Sequence, residues 1–511
     1  MTAVLTRRQF VLGVGAALLG GVVGGEASPE PAPTRGWRWR GAARSEGFRI
    51  AADAPHGAVG EIVRAPYSFN AIGSVWRKPI AGLRVRTSAD GVTFGPWVPV
   101  TTTEMHGDPA TGDPWFGDLV LTSRARFFQL GADAPTDTVS IDLIDASEDG
   151  TNFPRAIALQ SAVTVPVISR AAWRADEKLR YDERGAELWT PRYFTPQKVV
   201  VHHTATANGE ADPSATVRAV HYYHARTLGW GDIGYNYLID RDGKIYEGRY
   251  GGVGVEAGHA YGHNSGSIGI ACLGTFTSAA VPMEMRTALA RLIADRARFI
   301  DPLDSSWFVD GPMSNLMGHR DAIGYRPGQG TACPGDQLYA QLAGLREQVV
   351  SYLGARPTAD VRITAMRLNS DTFVSNGTME VTLEVRNVGT GTVASDGPPS
   401  SLLYDERDTY TSRGYPSRDG IWRTAVDITG GGANGFPFRW GLPDALEPGA
   451  SATIRGSVQL RGAGARGVVA KLVQEGRAIE TAPISVAARV IDQATLSRRA
   501  LIPVSLRSSS A

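Results

Sequence analysis

The chain has 511 residues, 42% hydrophobic and 20% charged, with 52 Lys+Arg against 51 Asp+Glu and a net charge of +1. This composition excludes a disordered chain, and at roughly 100–200 residues per domain the length holds three or four domains, each able to bury a core. The lack of a basic excess argues against nucleic acid or a strongly anionic surface as partner, while Gly 60 and Pro 30 point to many turns and much β structure.

The sequence opens with Arg7 and Arg8 ahead of Phe10 and an apolar run to about Val23. The run is short and glycine-rich for a membrane span, and it reads as an export signal over 1–27, with Gly25-Glu26-Ala27 as a small-x-small cleavage site. An uncleaved anchor is the alternative. Thr6-Arg7-Arg8-Gln9-Phe10 resembles the twin-arginine motif, which implies export of an already folded protein to the cell envelope or beyond. No later segment is long and apolar enough to span a bilayer.

A Pro-rich linker (28–35) precedes residues 36–165, where short alternating runs such as "LRVRTSADGVTFGPWVPV" and "VSIDLIDAS" turn at Asp/Gly pairs and predict a β-sandwich. Trp97, Trp115 and Phe116 there are either packing residues or a sugar-binding surface. Residues 166–355 alternate strands with helices. "KVVVHH" is a strand, "SATVRAVHYYHARTLG" a helix ending at Gly229, and "YNYLIDRDGKIYEGR" a hairpin turning at Asp242-Gly243. "SIGIACLG" is apolar throughout, as a central strand is. Met285, Leu289, Leu292, Ile293 and Ile300 share one helical stripe. A last helix opens at Pro334, places Leu338, Leu342, Leu345 and Val349 on one face, and stops at Gly354. After a linker (356–361), residues 362–505 return to strands and predict a second, Ig-like β-sandwich, with the Gly/Pro-rich stretch 395–445 unplaced. The expected chain is thus multidomain: a central mixed α/β domain, a β-sheet flanked by helices, between two all-β sandwich-like domains.

The chemistry gathers in the centre. A strand alternates its faces, so His202 and His203 at the end of the valine run point opposite ways; one joins Val200, the other Val199 and Val201. A strand-end histidine is a metal ligand or base in some settings and hydrogen-bonded structure in others. Downstream, "LMGHRDAIGYRPGQGTACPGDQ" holds His319 and Cys333 in one loop. Two imidazoles and a thiolate suit zinc, and three protein ligands leave a fourth position open, as catalytic sites do. Cys333, just before a helix, gains thiolate character from the helix dipole. The remaining cysteine, Cys272, lies in an apolar strand and reads as a small buried hydrophobe, against the alternative of a Cys272–Cys333 disulfide.

"VVVHHTAT", "GWGDIGYNYLIDRDGKIYEGR", "HNSGSIGIACLG", "GHRD" and "TACPG", in this order over about 166–350, resemble the peptidoglycan recognition proteins and the related zinc amidases of phage lysozymes. The resemblance implies one Zn2+ per chain on His202, His319 and Cys333. It also implies an active-site role for Tyr235 and a threonine, Thr331, at a position that carries threonine or lysine in amidase members. The loop from His319 to Cys333 is longer than is usual in the family. The implied reaction is hydrolysis of the amide between N-acetylmuramic acid and L-alanine in peptidoglycan. Zinc acidifies water from pKa near ~16 to about 7 and polarises the carbonyl, and Tyr235 is the candidate oxyanion donor. No carboxylate stands out as general base. Gly229, Trp230 and Arg249 match the positions that select meso-diaminopimelate in the stem peptide, Arg249 by pairing with the extra carboxylate; helix capping and packing are the alternative for Gly229 and Trp230. His224, His259 and Asn264 are further candidate cleft residues. A non-catalytic peptidoglycan-binding protein, or a surface structural protein with a vestigial centre, are the competing functions.

Overall fold

The computed structural model describes residues 34–41, 57–102, 114–147 (except 135 and 137), 165–323 and 330–492 (except 431, 433, 434 and 478). The expected export signal lies outside them.

The amino-terminal strands form one seven-stranded sheet, antiparallel throughout, rather than the expected pair of stacked sheets. Its two longest strands, Val63–Trp76 and Trp115–Ala132, slip register between Arg64 and Phe69, Phe69 and Ala71, and Ile72 and Ser74. Such bulges bend and twist a strand, which lets one sheet curl over its own core of Phe69, Ile72, Val85, Phe128, Ile141 and Leu143. Trp115 packs against that core, and Trp97 lies under the Arg86 guanidinium at 4.6 Å.

The central domain is built on a six-stranded sheet in the order Leu316–Gly318, Lys198–His203, Ser267–Cys272, Tyr237–Ile239, Ile245–Glu247, Val167–Ile168. All neighbours are parallel except the hairpin across Asp242-Gly243. Parallel strands are covered on both faces, and the sequence obliges. Val199, Val201, Ile268, Ile270 and Cys272 face the helices Met283–Arg296 and Leu342–Leu353. The other face meets the helix Pro213–Tyr222 through Leu238, Ala271 and Val217. Ile300 reaches the first of these cores from the turn beyond Arg296. The expected last helix is two: a single turn, Asp336–Tyr339, and then Leu342–Leu353 with Gly354 in the left-handed region (φ 74). Cys333 is therefore three residues ahead of a one-turn helix, too short to lend it the dipole support anticipated.

The carboxy-terminal strands make two sheets, four-stranded and six-stranded, around one core. Trp422 and Trp440, in the stretch left unplaced from sequence, are fully buried there.

Lys198 opens the histidine strand with its side chain wholly buried. Its ammonium donates among Ser306 O, Ser306 Oγ, Met313 O and Asn315 Oδ1 at 2.7–3.1 Å. These acceptors belong to or follow the hairpin Ser305–Ser314, so one side chain ties that hairpin to the sheet. Lys198→Ala strands several buried acceptors and is expected to cost about 3 kcal/mol, read as a drop in urea midpoint with unchanged slope.

Candidate active site

His202 leaves the strand on the face opposite Val199 and Val201 and is fully buried. Its Nε2 meets His259 Nδ1 at 3.0 Å, and its Nδ1 lies 3.6 Å from Cys333 Sγ. The His319 ring is 4.4 Å from the His202 ring, and both His319 nitrogens are buried without a hydrogen-bond partner among the described residues. One donor atom each from His202, His319 and Cys333 fall within 4.8 Å of one another, the one such group among the described residues. A buried imidazole with two unpartnered nitrogens is costly unless something is bound there. Two imidazoles and a thiol at this separation fit a zinc ion. Burial pushes the His202 ring well below its ordinary pKa and His319 down to about 3, so both are neutral bases with lone pairs to donate.

His203 points the other way. Its Nδ1 accepts from Phe276 N at 3.2 Å, and burial lowers its pKa to about 4. The two cysteines are free, and Cys272 faces the helical layer with its thiol pushed up to about 12 by burial.

Tyr235 stands beside the three donors, its ring 5.3 Å from His202. The phenol is raised well above its usual pKa by burial, then by Cys333 and Asp118. The loop that carries it is held by Asp232, which accepts from Arg170 at 3.1 Å, Ile233 N at 2.7 Å and Tyr250 N at 2.9 Å. Arg170 and Asp232 were not singled out from sequence: their partners are 62 positions apart, and no local pattern announces the pair. Thr331 Oγ1 accepts from Cys333 N at 2.9 Å and lines the same cavity as Cys333 and His319.

Other expected contacts have different partners. His259 sits behind His202, with Ser267 Oγ 3.2 Å from its Nε2, and is pushed to about 3 by burial. Asn264 Oδ1 accepts from His259 N and Ala260 N at 2.8–2.9 Å. Both therefore brace the site instead of lining a cleft. Arg249 is 3% exposed, donates from Nε to Ile233 O at 3.0 Å, and is stacked by Trp189 at 4.1 Å. It does not stand open to a substrate carboxylate, because its own loop carbonyls and an indole occupy it. Gly229 is left-handed (φ 74) past the helical turn, which is the capping alternative. Trp230 packs on His224 at 4.9 Å, and His224 Nδ1 accepts from Gly234 N at 2.9 Å.

The cavity beside His319 and Cys333 has a volume of about 490 Å³, in the range of small-molecule sites. One side is His203, Thr204, Thr275 and two of the donors, His319 and Cys333; the other is Thr101, Thr102 and Asp118 of the amino-terminal sheet. Sequence reading missed this second side.

Comparison with known proteins gives a consistent picture. Residues 192–336 match the family model described as N-acetylmuramoyl-L-alanine amidase. The chain is 31% identical over 185 residues to peptidoglycan-recognition protein SC2 of Drosophila simulans, covering 36% of this chain and 88% of that protein. It is 37% identical over 129 residues to the human N-acetylmuramoyl-L-alanine amidase, covering 25% of this chain and 19% of that one. Among solved structures, wild-type Drosophila PGRP-LB aligns at 30% identity with a TM-score of 0.28, covering 35% of this chain and 94% of that chain.

Proposed function

Since the chain belongs to the family of peptidoglycan recognition proteins and N-acetylmuramoyl-L-alanine amidases, we propose that it is an exported, zinc-dependent amidase that cuts between N-acetylmuramic acid and L-alanine in bacterial peptidoglycan. The observation that carries this reading is the convergence of His202, His319 and Cys333 on one point, with both His319 nitrogens buried and without a hydrogen-bond partner among the described residues.

Those three side chains would hold one Zn2+. When bound, the ion supplies a Lewis acid that polarises the scissile carbonyl and acidifies water. His259 takes up His202 Nε2 and so leaves Nδ1 for the metal, fixing both the tautomer and the ring angle. The Tyr235 phenol, kept protonated by burial, is the O–H donor for charge developing on the carbonyl oxygen. Thr331 holds the Cys333 backbone and offers its hydroxyl side to the cavity. His224 packs between Trp230 and Tyr235 and so steadies the phenol. The export segment 1–27, the all-β unit 36–165, the amidase unit 166–355 and the Ig-like unit 362–505 complete the proposed organisation.

The test is the full chain on meso-diaminopimelate peptidoglycan, with and without chelator. New alanine amino termini without new reducing ends are expected, and chelator is expected to stop their release. Tight wall binding with no new amines in the presence of zinc would favour the recognition reading instead.

A further inference from the structure

The amino-terminal sheet is fused to the centre, not tethered beside it. Ala71, Leu119 and Ile144 of the sheet, with Ala146 just past it, share one buried core with Val217, Ala219 and Val220 of the central helix and Tyr223 at its end. Buried hydrogen bonds cross the same junction. Arg218 Nε donates to Ala146 O at 2.9 Å, Thr227 Oγ1 to Asp142 Oδ2 at 2.7 Å, and the Tyr223 hydroxyl to Gly117 O. At Gly73 the approach is close enough that a Cβ would stand 2.8 Å from the Tyr223 ring. Polar bonds made out of water, together with a continuous apolar core, fix the two units in one orientation.

That orientation has a chemical consequence. Gly117 and Asp118 lie near the start of the long strand Trp115–Ala132, and Asp118 N donates to Thr101 O at 2.7 Å while Thr102 bridges Gly117. Thr101, Thr102 and Asp118 are thereby carried to the cavity that also holds His319, Thr331 and Cys333. Thr101 Oγ1 donates to Asp118 Oδ2 at 2.6 Å, which orients the carboxylate.

We propose that this strand end is a working wall of the substrate cleft, with Asp118 accepting a hydrogen bond from a substrate N–H or O–H and Thr102 adding a neutral contact. Recognition of the cleaved strand thus depends on a unit outside the stretch that matches the amidase family. The carboxylate also feels the site from its own side: both buried phenols nearby, Tyr223 and Tyr235, are raised in part by the Asp118 charge, after burial. A carboxylate here favours a donor-bearing part of the substrate. The donor is either a muramyl hydroxyl or a peptide N–H.

The inference rests on the amidase reading, and its experiment separates the two. Asp118→Asn, which keeps an acceptor for Thr101, and Thr102→Val are made in the full chain. Each is assayed on an N-acetylmuramoyl-peptide and on a lactyl-peptide lacking the sugar. A hydrogen bond to a charged group is worth enough that Asp118→Asn is expected to raise KM about 10- to 100-fold. Thr102→Val is expected to raise it less; kcat, zinc content and melting temperature stay near the parent values. A penalty confined to the muramyl substrate assigns the donor to the sugar, and an equal penalty on both assigns it to the peptide. Parent turnover with unchanged KM in both variants overturns the wall and leaves the amidase standing. If the parent binds without cutting, fragment affinity is read in place of KM with the same expected loss. A parent that neither binds nor cuts overturns the amidase reading and this inference with it.

Discussion

Cys333→Ala in the full chain is expected to lose zinc and amide hydrolysis together, while the metal-free folds of parent and variant melt alike. The scale follows from the surrounding geometry. Removing a group that only orients a ligand costs about 10- to 100-fold in metal affinity, and His259, hydrogen-bonded to His202 at 3.0 Å, is such a group. Removing a donor itself must cost more than that. Cys333 has a second small duty, since its Sγ accepts from His203 N at 3.4 Å. Cys333→Ser keeps an acceptor for that amide while replacing sulfur with a harder, poorly ionised oxygen. It is expected to fold as the parent does and still fail to retain zinc at micromolar metal. His259→Ala is expected to weaken zinc retention by the smaller factor above, with partial activity restored by excess metal. Full activity in the metal-free Cys333→Ala protein would remove the metal assignment altogether.

Acid is expected to produce the second large effect. His202, His203, His224, His259 and His319 are all lowered below the ordinary histidine value, burial being the first cause in each: His203 to about 4, His224, His259 and His319 to about 3. The unfolded chain protonates these rings near ~6.5, whereas the folded chain resists protonation until far lower pH. Between those limits the unfolded state binds more protons. Stability is therefore intact above about pH 6.5 and falls as pH drops, each ring contributing at most about 1.4 kcal/mol per pH unit. Several rings titrating together consume a large part of the ~5–15 kcal/mol typical of a folded domain. The metal-free protein is expected to unfold cooperatively between about pH 6 and 4. Zinc is expected to lower that midpoint, since bound imidazoles must lose the metal before they take a proton. Tryptophan fluorescence against pH, with and without chelator, reads both. A flat signal from pH 6.5 to 4 in the metal-free protein would mean that these rings are not sequestered as neutral bases.

Much of the central domain was legible because its signals are local. The valine run, the Asp242-Gly243 turn and the stripe of Met285, Leu289, Leu292 and Ile293 each set an element within about a dozen residues, by side-chain period and turn stereochemistry. Strand alternation alone separated His202 from His203, and the kinds of donor atom on His202, His319 and Cys333 already pointed to a soft-to-borderline metal. What the sequence by itself determined, then, is element type, the facing of each side chain and the chemistry on offer. Only the tertiary structure decided which groups meet. It turned the amino-terminal strands into one bulged sheet instead of two, and placed His259 behind His202. It also buried Arg249 under Trp189 and brought Asp118 to the cavity of Cys333. The reason is physical: period and propensity act along the chain. Strand order, docking and burial come instead from the shared apolar core and the buried hydrogen bonds between segments up to more than a hundred residues apart, such as Tyr223 and Gly117.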